Sequence, residues 1–423
     1  MNPSTPAPGL HKDDSNFDPA QEQTARHEFP EGGARAWGVA FGTSLAVFCT
    51  LGYVNSFGVF QTYYVQNQLG DQSSSRIAWI GSLQFYLIFS AGLLAGPLFD
   101  RYGPRCILFP AAIIYVASVM LTSLASKYWH FILAQGVLGG FSSGMVLNPA
   151  FVATPQYFFK KRAMGLAIAG SSVGGVIFPL ALPRLFSNTK VGFGWAVRVI
   201  GFIILALLAL SCMVIKERLP PRKNKFFLRR AFTEITYVLI IAAGFVIYLG
   251  MFSPYFFLPQ YALSRGVDPL FSSYLIAILN GSGVFGRVIP GILSDRVGRL
   301  NMFAVASLAS SILLFIWTQC TNRGAIIAFT VLYGFFSGGI ISGFSTSLAT
   351  SASDASNTGT YIGQGSAITA LASLIGPPIN GAFLARYGEF QQLSIFSAVA
   401  CLIGFFVVLA AKSTTKSGFM GIA

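Results

Sequence analysis

An all-α membrane protein, with twelve transmembrane helices in two pseudo-symmetric six-helix halves, is the fold class this sequence predicts. Three observations predict it: a composition that no soluble surface accommodates, apolar runs of bilayer length, and a motif that recurs at a fixed offset. Of 423 residues, 54% are hydrophobic and 10% charged, whereas soluble domains carry about 25% charged residues. The apolar runs are each close to the roughly 20 residues that a helix needs to cross the hydrocarbon layer. They are continuously apolar, and lipid admits only helices or closed barrels, whose strands alternate, so helices follow.

Residues 1–35 mix Pro, Asp, Gln, Glu, Ser and Thr with almost nothing apolar. They cannot bury enough surface to fold alone and are expected to form a disordered cytosolic tail. They lack the short apolar core and cleavage site of a signal peptide, which leaves targeting to the first span. The N-terminal half is expected over residues 36–215, with spans at 37–61, 77–99, 106–125, 131–152, 163–186 and 195–215. A basic cytosolic linker over 216–234 leads to a C-terminal half over 235–411, with spans at 235–258, 273–293, 302–319, 325–350, 360–384 and 393–411, and a second cytosolic tail over 412–423. Pro254, Pro259, Pro377 and Pro378 remove backbone donors and are expected to bend or interrupt the seventh and eleventh spans. Pairs such as Gly92/Gly96, Gly140/Gly144, Gly170/Gly174 and Gly359/Gly363 have the spacing of close helix packing.

Charge sets the orientation. With even-numbered loops inside, 19 Lys and Arg fall on the side of the two termini and 8 on the other, leaving Arg287 alone at membrane depth. Basic residues flank the cytosolic ends of spans, so a multi-pass protein of the cell membrane with both termini cytosolic is expected. The same reading accounts for the net charge of +14. The run Lys216-Glu-Arg-Leu-Pro-Pro-Arg-Lys-Asn-Lys225 becomes a topological anchor beside anionic lipid head groups rather than a nucleic-acid site, since no aromatic-interleaved basic module accompanies it.

Several chemistries are excluded. The five cysteines are scattered singly with no Cys-x-x-Cys spacing, and the three histidines lie in the tail or at a span edge. Neither a disulfide framework, a metal site nor a cofactor is indicated, and an enzyme would need a nucleophile with a base that the spans do not contain. The acidic residues all lie in the tail, in loops or at span edges.

Arg287 is the best pointer to function. A guanidinium at membrane depth costs roughly 2.5 kcal/mol or more, so it belongs against a protein interior or a wet cavity and marks a ligand path. Its planar fork suits a carboxylate, which makes it the expected anion clamp. Asn55 and Asn280 would add neutral hydrogen bonds, with Gln364 and Tyr361 as further candidates. The competing reading of each amide is an interhelical hydrogen bond worth about 0.6 kcal/mol.

The repeat supplies the second set of residues. Gly96-Pro-Leu-Phe-Asp-Arg-Tyr-Gly-Pro-Arg105 follows the second span, Gly291-Ile-Leu-Ser-Asp-Arg-Val-Gly-Arg299 follows the eighth, and Asp100 and Asp295 are 195 residues apart. In each copy the Asp (Asp100, Asp295) can cap a neighbouring helix and the Arg (Arg101, Arg296) can pair across helices, with Gly103 and Gly298 completing the loop. Such contacts would close the cytosolic side and break when it opens.

Twelve spans, cytosolic ends, a central basic loop and this duplicated loop resemble the major facilitator superfamily over residues 35–411. The resemblance implies a substrate site near the midplane between the halves. Pro30-Glu-Gly-Gly-Ala-Arg-Ala-Trp37 and Tyr157-Phe-Phe-Lys-Lys-Arg-Ala-Met-Gly-Leu-Ala-Ile-Ala-Gly-Ser-Ser-Val-Gly174 look like signatures of the monocarboxylate porter family. One extra residue and a missing aromatic in the first of these fit its divergent fungal branch, which includes riboflavin transporters and exporters of secondary metabolites. The lactate carriers of that family bear a Lys where this chain has Asn55 and an Asp where it has Gly283, so only the Arg survives, as Arg287.

The functional expectation is a secondary-active or facilitative transporter that moves a small organic anion or an acidic aromatic metabolite by alternating access. Because Arg stays protonated, any proton would travel on the substrate. Export of a secondary metabolite, uptake of riboflavin or of a monocarboxylate, and a non-transporting nutrient sensor on a carrier fold are the alternatives. The short connector and C-terminal tail weigh against the sensor. The expected partners are a small, anionic molecule and the lipid bilayer, without nucleic acid, and the protein is expected to work as a monomer.

Overall fold

The computed structural model describes residues 33–154, 157, 173–188, 190, 192–216, 228–351 and 358–415. Most of the N-terminal tail, most of the motif at 157–174, the first part of the fifth span and most of the basic linker lie outside the described residues.

Among the described residues the chain is helical, with eleven helices long and apolar enough to span a membrane and a shorter apolar helix, Gly174–Ser187, in the place of the fifth. We label the spans α1 (Ala34–Val54 continued by Phe57–Gln66), α2 (Ser74–Ser90 continued by Gly92–Tyr102), α3 (Arg105–Thr122), α4 (Tyr128–Phe131, Ile132–Gly139 and Gly140–Ala153), α5 (Gly174–Ser187) and α6 (Gly192–Val214). The second half has α7 (Ile235–Met251 continued by Ser253–Ser264), α8 (Pro269–Val297), α9 (Arg299–Ile316), α10 (Arg323–Thr350), α11 (Thr358–Tyr387) and α12 (Gln391–Ser413).

Local chemistry fixes several boundaries. Asp268 accepts from Phe271 N at 3.0 Å and Pro269 opens α8, an acidic cap followed by a residue whose missing N–H is no loss in the first turn. Asn322 caps α10 in the same way at 2.8 Å. Pro254 stands where α7 resumes after its break at Phe252, as expected. By contrast, α11 runs through Pro377 and Pro378 without interruption.

The two halves repeat one packing scheme. In the first, α1 packs on α4, α5 and α6, α3 on α4 and α6, and α2 on α4; in the second, α7 packs on α10, α11 and α12, α9 on α10 and α12, and α8 on α10. Between the halves, α2 meets α11 and α5 meets α8, a reciprocal pair. Glycine permits the closest crossings. A Cβ on Gly286 would stand 1.8 Å from the Phe335 carbonyl oxygen, and one on Gly144 would stand 2.5 Å from that of Ile88.

Gly359 and Gly363 depart from that rule. Among the described residues nothing lies within 4 Å of a Cβ placed on either, so no described neighbour packs on this pair.

Contacts between the halves concentrate, among the described residues, at the end away from the termini. The second segments of α1 and α7 pack together, with Gly58 against the Tyr255 carbonyl and Phe57 5.1 Å from Phe256 between ring centroids. Phe85 of α2 adds to this seam at 5.1 Å from Phe252 and 5.8 Å from Phe256. Ser75 Oγ donates to the Pro378 carbonyl at 2.8 Å, and Arg184 Nε donates to the Tyr274 hydroxyl at 2.7 Å. The break in α7 is held by a buried polar cluster in which Asn380 Nδ2 donates to Ser253 Oγ at 2.7 Å and Ser397 Oγ donates to Asn380 Oδ1 at 3.2 Å.

Candidate functional site

The site grows out of α8. A tightly packed seam of glycines presses α8 onto α10, where Gly283 lies against the Gly334 carbonyl and Gly338 against that of Gly283. Arg287 follows Gly283 by four residues and therefore shares its face of the helix. At 1.5 Å per residue it sits about 15 Å along the axis from the end of α8. Its side chain is half-buried. Its Nε is buried without a partner, and no hydrogen bond or ion pair joins Arg287 to any described residue.

The neighbourhood of Arg287 is phenolic rather than acidic. Its charge acts on the hydroxyls of Tyr248 and Tyr255, both on α7 and both buried. The space that Gly283 leaves open is bordered by the Tyr255 hydroxyl, 4.0 Å from where a Cβ would be, so a neutral phenol stands where the lactate-carrier pattern would bring a carboxylate. Tyr255 is bonded to Ser337 Oγ of α10 at 3.1 Å. A guanidinium with no acidic partner among the described residues keeps its charge available to a ligand, since a buried cation gains most from a fully charged, hydrogen-bonded partner.

The other expected residues divide into two groups. Asn280 and Asn55 are brought together across the two halves, Asn280 Nδ2 being 3.5 Å from the Asn55 carbonyl and 3.0 Å from that of Ile276. Asn280 packs against Gly175 of α5, and its Oδ1 is buried without a partner. It is thus partly an interhelical tie and partly an unspent acceptor. Gln364 is 2% exposed, and neither its oxygen nor its nitrogen is hydrogen-bonded. Tyr361 does not join them. Its hydroxyl donates to Glu234 Oε1 at 2.8 Å while its carbonyl accepts from Tyr237 at 2.8 Å, an arrangement that ties the start of α11 to the start of α7 and leaves its phenol engaged away from Arg287.

At the loop residues, Gly103 and Gly298 end α2 and α8 with the same geometry. Their φ values are 74° and 100°, and their N–H groups donate to Phe99 and Ser294 carbonyls, each at 2.9 Å. The ψ values of 170° and 140° put both in a region that essentially only glycine occupies. Arg101 and Arg296 are exposed, and Arg101 lies over the neighbouring Tyr102 ring at 5.3 Å. The side chains of Asp100 and Asp295 lie outside the described residues.

Tyr248, Tyr255 and Ser337 are what sequence reading missed. The signal present was two tyrosines seven residues apart in one apolar run, although the break at Phe252 places them on separate helical segments. Without the α7–α8 packing, however, nothing singled them out among the 16 Tyr.

Comparison with known proteins adds an independent line. A family model described as Major Facilitator Superfamily matches residues 43–377 and 289–419. The chain is 48% identical over 409 residues to an aspyridones efflux protein of Emericella nidulans, a match that covers 96% of this chain and 83% of that protein. It is 41% identical over 378 residues to an MFS-type transporter of Aspergillus niger, covering 86% of this chain and 87% of that protein. With an agnestins efflux protein of Paecilomyces divaricatus the identity is 38% over 394 residues, covering 91% and 89%.

Proposed function

Because the chain belongs to the major facilitator superfamily and is therefore a membrane transporter of a small molecule rather than an enzyme, we propose that it exports a small acidic metabolite by alternating access. Arg287 acts as the anion clamp. The observation that carries this reading is the buried guanidinium nitrogen on α8 that has no partner among the described residues, roughly midway through the bundle. The names of two relatives, an aspyridones efflux protein and an agnestins efflux protein, support the outward direction. The finer kinship with the monocarboxylate porter branch rests on the motifs before α1 and α5.

With both termini cytosolic, the end away from the aromatic seam faces the cytosol. Substrate enters past Gly359 and Gly363 and reaches Arg287, with Asn280, Asn55 and Gln364 as neutral partners. The aromatic seam at Phe57, Phe85, Phe252 and Phe256 keeps the far side shut. Opening of the far side requires that seam to part while the loops at Asp100–Arg101 and Asp295–Arg296 draw together and close the cytosolic side. The protein does this as a monomer in the cell membrane.

Inside-out vesicles from cells expressing the chain test the proposal. Saturable uptake of the organic acids of the producing organism is expected, abolished in Arg287→Gln at equal protein level. Undiminished uptake by that variant would remove the anion clamp from the mechanism.

A further inference from the structure

We propose that a cleft in the C-terminal half, at the end away from the termini, holds the headgroup of a phospholipid that carries both a phosphate and a primary ammonium, a phosphatidylethanolamine, with an acyl chain laid along α9 and α12. The proposal is independent of the anion clamp at Arg287 and rests on other residues.

The cleft has a volume of about 690 Å³, within the roughly 300–1,000 Å³ of small-molecule sites. It lies where α7, α9 and α11 end and α12 begins, and Arg265, Gln319, Glu389 and Gln391 line it together with Phe315 and Ile395. Arg265 follows the last turn of α7 and lies over the Tyr261 ring, 5.3 Å from its centroid. The Tyr261 hydroxyl is in turn tied to the carbonyls of Thr318 and Cys320, at 3.2 and 3.0 Å, after the end of α9. Gly388, with φ at 71°, turns the chain out of α11 just before Glu389. Glu389 makes no hydrogen bond or ion pair with any described residue, so Arg265 does not neutralise it although both line one cleft. A cation, an anion and two amides thus stand together with their charges unspent.

Apolar stripes lead away from the cleft. Ile312, Phe315 and Ile316 of α9 and Ile395, Val399, Ile403 and Phe406 of α12 are exposed, at spacings that keep each set on one helix face. Since α9 packs on α12 and Phe315 and Ile395 line the same cleft, the two stripes start from one place. From Ile395 to Phe406 the second runs about 16 Å at 1.5 Å per residue, the depth of one leaflet of a hydrocarbon layer about 30 Å thick. A soluble zwitterion would use the cleft alone, whereas a phospholipid uses the cleft and a stripe. The guanidinium fork suits the phosphate. The Glu389 carboxylate and the amide oxygens accept N–H donors, which a primary ammonium has and the trimethylated one of phosphatidylcholine lacks.

Native mass spectrometry tests this on the full-length chain, released from micelles that hold palmitoyl-oleoyl phosphatidylethanolamine and the matching phosphatidylcholine in equal amounts. The wild type should retain the ethanolamine lipid about fivefold over the choline lipid, the effect of one net hydrogen bond. Glu389→Gln should bring the ratio near one, and Arg265→Gln should lower retention of the ethanolamine lipid at least as far. A ratio near one in the wild type, or a preference that survives in either variant, overturns the site. Glycerophosphoethanolamine, the headgroup without its chains, should leave the retained lipid in place at about tenfold excess. Displacement would give the cleft to a soluble zwitterion and overturn the lipid. Arg287→Gln should keep the wild-type ratio whatever it does to transport, and loss of the preference there would move its origin to the central site and overturn the cleft. Both cleft positions are exposed. Should one variant fail to fold, the other and the wild-type ratio decide.

Discussion

The second and eighth spans occupy equivalent places in the two halves, end in the same Asp-Arg-x-Gly loop and finish on glycines of the same unusual backbone conformation, yet they differ at mid-depth. The 195-residue offset that relates their loops carries Arg287 of α8 back to Gly92 of α2. There α2 breaks at Ala91 and lies so close to Asn148 of α4 that a Cβ would be 2.7 Å from its side-chain oxygen. The same offset carries Asn280 back to Phe85, a member of the aromatic seam. Duplication has kept what lets a half-bundle turn its chain at the membrane surface and has changed the residues proposed to meet the cargo. In the proposed mechanism the anion clamp thus belongs to one half, while closure uses both.

That comparison can be broken most directly at Arg287. Losing a charged group from a hydrogen-bonded pair costs about 2–5 kcal/mol, so Arg287→Gln should lower transport by two orders of magnitude or so in vesicle flux assays, and Arg287→Lys should recover only part because a point charge replaces a fork. If Lys restores the full rate, α8 contributes charge without geometry.

The next effect concerns packing. Gly286→Ala would thrust a methyl at the Phe335 carbonyl oxygen, 1.8 Å away, and overpacking of this kind typically costs about 1–3 kcal/mol. The reverse change at the equivalent place, Ala91→Gly, should be milder, since a glycine there removes a methyl and adds no clash. Thermal melts followed by size-exclusion fluorescence would show whether α8 is the more tightly seated of the two, and equal losses would refute it.

A sharper test of the kept feature is Gly103→Ala set against Gly298→Ala. Forcing a side chain into that backbone region costs of order 1–3 kcal/mol, so both variants should lose stability to the same extent and slow transport by similar factors. A large effect at one and none at the other would mean that the duplicated loops have diverged in use.

The smallest change is expected from Asn280→Ala. Its hydrogen bonds to α1 and to its own helix are of the interhelical kind, about 0.6 kcal/mol, which corresponds to a two- to threefold change in apparent affinity. A loss comparable with that of Arg287 would promote Asn280 from packing to recognition.

Much of this architecture could be read from the residues, because lipid leaves the chain few choices. Apolar length gave the spans. What could not be read followed from contacts between distant segments. The break of α1 near Asn55 and Ser56 has no proline to announce it, whereas the pair Pro377–Pro378, which looked disruptive, lies in an unbroken helix. Arg287 was visible as a charge where none should be, and its lack of an acidic partner among the described residues agrees with where the carboxylates lie in the sequence. Tyr361 looked like Gln364, a polar group in the same span, until Glu234 was found to occupy its hydroxyl. Tyr255 could not be identified as the group beside Gly283, because that proximity depends on how α7 packs on α8 and α10.

The seam formed by Phe57, Phe85, Phe252 and Phe256 has a thermodynamic consequence. Parting it wets aromatic surface, and exposing apolar area raises heat capacity. The temperature dependence of turnover should then curve in an Eyring plot rather than run straight, with a grip on the rings that loosens in the cold.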